Sequence, residues 1–445
     1  FLPTFNDLVQ KNLHIDYSTD WVFAGGFLLL AVTVGIVAGS YPAFFLSRFR
    51  PVEVLKGGRH QGTSGARMRQ VLVVGQFIVS IALIACTIIV SRQIDFIRNK
   101  RLGFDKEQVL VLPLRGEQAQ TKWPQLKTAL LRHPEIEAVT ASSSVPADPN
   151  WLQIDAKRSD GDETKVVFTY QIDYDFFETL GIESVAGRFL SPDFPSDSAQ
   201  AFVLNEAAVE EFGYESVEAA VGQLFVWLGQ GPENAKRGIV VGVAKDFHFR
   251  PLYEEIAPAV FHLMPYEMQF LILRIQANSM ETALSVLKTA WQGFDPGHPL
   301  DFSFMDEKVE TQYRAETRLL EAFGIFSVLA IFISCLGLFG LAAFAAEQRH
   351  KEIGIRKVLG ASVVNLVFLL TGNFTRLLLV SFVVAIPIIW LAMNKWLQNF
   401  AYRIDIGWWA FALAGGLALL IALLTVSTQA IKAALANPVE ALRYE

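Results

Sequence analysis

Gln348-Arg-His-Lys-Glu-Ile-Gly-Ile-Arg-Lys-Val-Leu-Gly-Ala361 is a charged segment wedged between two long apolar runs, and its reading decides the fold. Glu352 and Arg356 stand four apart with the acid nearer the N-terminus, the order that stabilises a helix, while Ile355, Val358 and Leu359 gather on one flank. The spacing predicts a short amphipathic helix, with Gly360 freeing the backbone to stop it before the next apolar run near Val363. A basic helix between two apolar runs is expected at the cytoplasmic membrane surface. On composition alone it reads equally as a solvated positive-inside anchor.

Composition agrees with a membrane setting. Of 445 residues, 52% are hydrophobic and 18% charged, too apolar for an ordinary soluble protein of this length. The net charge of −6 is modest and basic residues cluster beside apolar runs, so no nucleic-acid partner is expected. Cys86 and Cys335 both fall inside apolar runs and cannot form a disulfide framework in an exported domain. Residue 1 is Phe and no signal-peptide pattern follows, which reads as a C-terminal fragment.

Working outward, Ala322–Ala346 precedes the charged segment and Val363–Trp390 follows it; Trp408 and Trp409 open a last run ending near Ile431. Upstream lie Trp21–Phe45 and Val71–Val90, joined by a connection holding Arg48, Arg50, Lys56, Arg59, Arg67 and Arg69. Each run is long enough to cross a hydrocarbon core of ~30 Å. Five crossings put both basic loops on one side, the cytoplasmic one. The expected map begins with an extracytoplasmic segment (1–20), a helix with its Pro-Val-Glu end (21–56), a cytoplasmic basic loop (57–70) and a helix with stalk (71–103). An extracytoplasmic domain follows (104–305), then a second stalk and helix (306–346) and the coupling-like segment (347–361). A helix (362–392), an external turn (393–408), a last helix (409–432) and a cytoplasmic tail (433–445) complete it.

An internal repeat is visible. Pro51-Val52-Glu53-Val-Leu-Lys56 closes the first span and Pro438-Val439-Glu440-Ala-Leu-Arg443 the last, and at that same offset Trp21 aligns with Trp408. Residues 1–56 then read as the end of a first half, and the remainder as a complete second half: one span, an external domain, three spans.

The phrase Glu352-Ile-Gly-Ile-Arg-Lys-Val-Leu-Gly-Ala361, together with the Pro-Val-Glu ends, closely resembles the MacB/FtsX family of ABC transporter permeases, some of which carry this half-unit twice. The resemblance covers residues 20–445 and is weaker in the external domain. It implies that Arg349, Lys351, Glu352, Ile353, Gly354, Ile355, Arg356, Lys357, Val358, Leu359 and Gly360 form a coupling helix docking on a separate ATPase. It further implies a cytoplasmic ABC ATPase dimer as partner, with ATP and Mg in that partner and no cofactor or metal in this chain. Membrane lipid, a second permease copy and a periplasmic or outer-membrane partner belong to the same expectation, as does location in the bacterial inner membrane with the large domain outside. ATP-driven movement of that domain would serve export or extraction of a substrate. The same scaffold could instead regulate a periplasmic hydrolase or a signalling pathway, and a membrane-anchored receptor without an ATPase is a further alternative.

The external domain reads as α+β. Gln108–Leu112, Gln118–Arg132 and Glu137–Ser143 form one β-α-β unit; Phe270–Ile275, Ser279–Phe294 and Asp301–Met305 form another. Together they predict a ferredoxin-like split sheet, with residues 145–268 inserted as a second lobe. Within that lobe Asp175–Ile182, Gly187-Arg188, Val203–Glu206 and Gly242–His248 resemble recurring phrases of the family and read as helix ends, glycine turns and strand cores. Two spans extend as stalks. The helical pattern after Val90 continues to a glycine stop at Gly103, and Asp306–Arg318 lacks Gly and Pro and leads into Leu319. One helix from Asp306 to Ala346 would be ~60 Å long, about twice the hydrocarbon thickness.

Catalytic chemistry finds little support. His248, His262, Asp246, Glu254 and Glu255 lie near one another in sequence but match no zinc spacing, and Ser142-Ser-Ser144 has no nucleophile-elbow context. No G-x-x-x-x-G-K-[ST] occurs, so ATP hydrolysis within this chain is excluded. Arg376 is the main charge within a span.

Overall fold

A computed structural model describes residues 21–47, 63–161, 163–229, 235–264, 268–348, 352, 355–356, 359 and 361–435. The chain divides into two units, one of residues 1–92, 316–396 and 405–445, the other of residues 93–315 with 397–404.

In chain order, helices α1 (Trp21–Ser47) and α2 (Thr63–Asn99) lead to strand β1 (Val109–Pro113), helix α3 (Glu117–Leu130) and strand β2 (Ile136–Ser142). Strands β3 (Leu152–Arg158), β4 (Lys165–Ile172), β5 (Ser184–Gly187) and β6 (Ala201–Asn205) precede helix α4 (Glu206–Glu211). After them come β7 (Leu224–Trp227), β8 (Lys236–Ala244), β9 (Ala259–Leu263) and β10 (Phe270–Ile275). Helix α5 (Met280–Phe294), β11 (Ser303–Phe304) and helices α6 (Met305–Gln312), α7 (Arg314–Gln348), α8 (Val363–Leu397) and α9 (Trp408–Leu435) follow, and short helical turns at Phe176–Leu180, Asp197–Gln200 and Val217–Ala220 lie between the strands.

Among the described residues, four helices are long and apolar enough to cross a membrane: Met68–Asn99, Arg314–Gln348, Phe374–Leu397 and Trp408–Lys432. In α1 the described apolar stretch is the shorter Gly25–Ile36. Buried alanines line the inner faces of the last two helices, Ala385 on α8 and Ala414, Ala418 and Ala422 on α9. Gly415 lets the Phe382 ring approach so closely that an added Cβ would lie 2.4 Å from it, the small-residue packing expected where lipid offers no hydrophobic drive.

Both stalk expectations change in detail. Helix α2 ends at Asn99 rather than at Gly103, and Lys106 Nζ donates to the Arg98 carbonyl at 3.2 Å in the last turn. Gly103 is needed for another reason: its φ is +83° and a Cβ would come within 2.7 Å of the Asp246 carbonyl. The expected unbroken helix from Asp306 is two helices. α6 ends at Tyr313, with φ −108° and ψ 18°, and α7 starts at Arg314. The tyrosine is held elsewhere, its hydroxyl accepting from the Leu252 amide at 2.8 Å.

In the other unit the eleven strands among the described residues join one sheet. At one end the order is β11, β1, β10, β2, every neighbour antiparallel, with α3 and α5 covering one face. Alternating strand residues Leu110, Leu112, Val139, Leu271 and Leu273 meet Trp123, Leu126, Leu287 and Trp291 in one core. A separate core at the other end gathers Ile154, Val167, Phe202, Leu204, Phe225 and Val240 under α4. The sheet narrows between them, where β2 and β4 pair only at Ser142 and Ile172. Lys127 of α3 fastens this neck by reaching Asp173 at 2.5 Å and also Asp175.

Candidate functional site

The segment after α7 retains helical character where it is described. Glu352, Ile355 and Arg356 are helical, and Arg356 pairs with Glu352 at 2.8 Å as the four-residue spacing predicts. The Leu359 amide donates to the Ile355 carbonyl at 3.0 Å, and that of Ala361 reaches back five residues to Arg356 at 2.9 Å, closing the turn. Ser362 then accepts from the Asn365 amide at 3.3 Å, an N-cap bond at the start of α8. Ile355 is 50% exposed and Leu359 80% exposed, so two branched apolar side chains stand open beside an ion pair. Arg349, Lys351, Ile353, Gly354, Lys357, Val358 and Gly360 lie outside the described residues. So do Pro51, Val52, Glu53, Pro438, Val439 and Glu440 of the two repeat ends. Arg376 is exposed on α8.

Three of the residues weighed for metal chemistry, Asp246, His248 and His262, are committed to structure, while Glu254 and Glu255 are exposed. Asp246 accepts from Asn205 Nδ2 at 2.8 Å and from the Ala207 amide at 3.1 Å. Asn205 is fully buried, and its Oδ1 accepts from the amides of Ala208 at 3.0 Å and Ala259 at 2.7 Å, so it caps α4 and ties in β9 together. The phrases Val203–Glu206 and Gly242–His248, separate in sequence, thus meet in one hydrogen-bonded cluster. His262 packs between Phe202 and Trp227, and burial pushes its imidazole down to about 3. His248 meets the edge of Tyr402, and burial, with Lys100 nearby, pushes it down to about 4. Among the described residues no cluster of His, Cys, Asp and Glu could hold a metal ion.

A second arrangement escapes sequence reasoning altogether. Residues 397–404, in the turn after α8, are bound into the β-rich unit. The Ala401 amide donates to the Tyr253 carbonyl at 3.1 Å and the Tyr402 amide to that of Leu252 at 3.3 Å. Phe400 stacks on Tyr253 with centroids 4.6 Å apart, and Lys100 Nζ lies 4.3 Å from the Tyr402 ring centre. Gln93, in the helical continuation of the second span, is fully buried and grips this turn with both ends of its amide.

Residues 324–438, which hold the coupling-like segment and the helices on either side, match the family model described as FtsX-like permease C-terminal. This stretch is similar to the C-terminal part of FtsX-like permeases. No curated protein matches the chain. The periplasmic region of MacB from Actinobacillus actinomycetemcomitans is similar at 15% identity over 47% of this chain and 94% of its own, with a TM-score of 0.34. The extracellular domain of the noncanonic ABC-type transporter YknZ from Gram-positive bacteria gives 9% identity over 44% and 97%, with a TM-score of 0.32. A domain of a putative permease from Porphyromonas gingivalis gives 13% over 45% and 91%, also with a TM-score of 0.32. At such scores they carry no functional argument, and the FtsX-like match rests on the membrane part.

Proposed function

We propose that the chain is the noncatalytic permease subunit of an ABC transporter, in which a separate cytoplasmic ATPase dimer drives movement of an extracytoplasmic domain. FtsX-like permeases are in general noncatalytic membrane subunits served by such an ATPase. On this reading ATP and Mg bind the partner, the chain sits in the bacterial inner membrane, and α1 is the fifth crossing beside the four span-length helices. The segment 347–361 is the coupling helix, with Arg349, Lys351 and Lys357 adding positive charge to the ridge of Ile355 and Leu359. The external domain is read as two lobes, a reading supported by the two separate cores. The strand order β11, β1, β10, β2 supports a ferredoxin-like split unit for the first of them. Output is mechanical, for export or extraction of a substrate, since the spans carry few charges that could line a polar path.

One observation carries the reading: exposed Ile355 and Leu359 beside the Glu352–Arg356 pair, between two span-length helices and inside the FtsX-like match. An apolar ridge rimmed by charge suits a protein contact. Arg349, Lys351, Arg356 and Lys357 are to be replaced together by Ala and the cognate ATPase pulled down on the full chain. Weakened capture with normal membrane insertion is expected, and unchanged capture with unchanged stimulated hydrolysis overturns the assignment.

A further inference from the structure

Within the membrane unit, α2 and α7 run antiparallel, and the contacts between them keep a regular spacing. Arg69 lies over the Phe344 ring, 4.0 Å from its centre. The side-chain carbonyl of Gln76 is buried against Gly337, where a Cβ would come within 2.5 Å of it. The hydroxyls of Ser80 and Ser334, each residue 1% exposed, are 2.9 Å apart. Those of Thr87 and Ser327 are 3.2 Å apart. Steps of seven, four and seven residues along α2 are answered by steps of seven, three and seven backward along α7. These are the a and d steps of a heptad repeat, which hold one seam facing its partner along the whole length of two helices.

The seam resists sliding because its polar members have no substitute for one another in hydrocarbon. Thr87 already donates its proton to the Leu83 carbonyl at 2.8 Å, so in the outer pair Ser327 is the donor and Thr87 the acceptor. A shift of one helix by a turn would carry every hydroxyl past its partner at once, with no water to replace the bond. Gly337 adds a steric constraint in one direction, since sliding that brings Ser334 opposite Gln76 would put a side chain there, whereas in the other direction Gly340 stands one turn away and the hydroxyl pairs alone set the register.

We propose that α2 and α7 move through the transport cycle as one rigid antiparallel pair, fixed in register by this polar seam. The motion itself rests on the proposed permease function, whereas the seam does not. The pair is tested in the full chain with Cys86→Ala and Cys335→Ser, by introducing Ser80→Cys with Ser334→Cys and, separately, Thr87→Cys with Ser327→Cys. Oxidation is followed in native membranes with the ATPase partner co-expressed, nucleotide-free and trapped with ATP and vanadate. Both pairs are expected to cross-link at rates within twofold of each other in the two states, and the oxidised complex to keep at least half the activity of the same complex after reduction. Failure of both pairs to cross-link in the nucleotide-free state overturns the seam. A rate that falls tenfold on trapping, or output lost on oxidation and restored by reductant, overturns the rigid pair. A parent chain that neither binds the ATPase nor alters its hydrolysis counts against the permease reading, while the nucleotide-free cross-links still report on the seam.

Discussion

Gln93 and Tyr402, 309 positions apart, are joined by a bond from Gln93 Nε2 to the Tyr402 carbonyl at 3.0 Å, while Gln93 Oε1 accepts from the Ile404 amide at 3.0 Å. One buried side chain thereby replaces the backbone pairing that a neighbouring strand would give residues 402 to 404. Gln93→Leu keeps the volume and removes both bonds, leaving a carbonyl and an amide without partners at ~1–3 kcal/mol each. Hydrogen exchange at the Ile404 amide is expected to quicken by about tenfold or more, one decade per ~1.4 kcal/mol. Exchange as slow as in the parent chain would show that the turn is held by Phe400 and Tyr253 instead.

The helix interruption at Tyr313 changes what a proline should do. In an unbroken helix Ala315→Pro would remove a backbone bond and clash with the preceding turn, costing ~3 kcal/mol. Ala315 instead lies in the first turn of α7, where amides lack helical partners and proline is tolerated. The cost is expected to be well under that figure, read as a small shift in denaturant midpoint of the full chain. Tyr313→Phe is the reciprocal test, since it leaves the Leu252 amide without its acceptor at ~1–3 kcal/mol. A proline variant that is the more damaged of the two would restore the continuous stalk.

Why this interruption escaped the sequence is a matter of range. Helix-favouring residues from Asp306 to Arg318 encode the two helices well, but the break is imposed by a hydroxyl that bonds a backbone 61 positions away. The same limit hid Gln93. By contrast β10 lies where its apolar run ends, Phe270 to Ile275, and the pair Glu352–Arg356 formed as spaced, because both depend on neighbours within a few residues. His248 and His262 looked adjacent as letters yet serve different places, one against Tyr402 and the other between Phe202 and Trp227.

Those two histidines set a pH dependence. Each is held below the ordinary value near 6.5, at about 4 for His248 and about 3 for His262, chiefly by burial. Below pH 6.5 the unfolded chain takes up protons that the folded chain refuses, so the neutral-imidazole stability is present above pH 6.5 and is lost as pH falls toward 4. For His262 the slope approaches ~1.4 kcal/mol per pH unit. Its Nε2 has no hydrogen-bond partner and its Nδ1 makes only a long 3.4 Å contact with the Leu263 carbonyl, which also accepts from Lys236 Nζ at 3.3 Å, so His262→Phe, between Phe202 and Trp227, removes the titration and leaves that carbonyl partnered. Urea unfolding between pH 7 and 4 is expected to show a shallower decline for the variant. An equal slope in both proteins would assign the pH dependence to other groups.

The ridge on the proposed coupling segment offers the sharpest separation of stability from function. Glu352 and Arg356 are an exposed helical pair, worth no more than ~0.5 kcal/mol to the fold, so losing it should barely move the unfolding midpoint. Ile355 and Leu359 are already open to their surroundings, at 50% and 80% exposure, and bury no core that a substitution could empty. Ile355→Asp with Leu359→Asp should therefore leave unfolding within ~0.5 kcal/mol of the parent, the range usual for surface changes. Across a partner surface the same carboxylates would be buried without hydrogen-bond partners, and that desolvation is expected to weaken ATPase binding at least tenfold. Binding measured by titration in nanodiscs, beside denaturant unfolding of the same samples, reads the two effects independently. Full affinity with the double substitution in place would remove the ridge from the ATPase contact and leave the charges of the segment to account for docking.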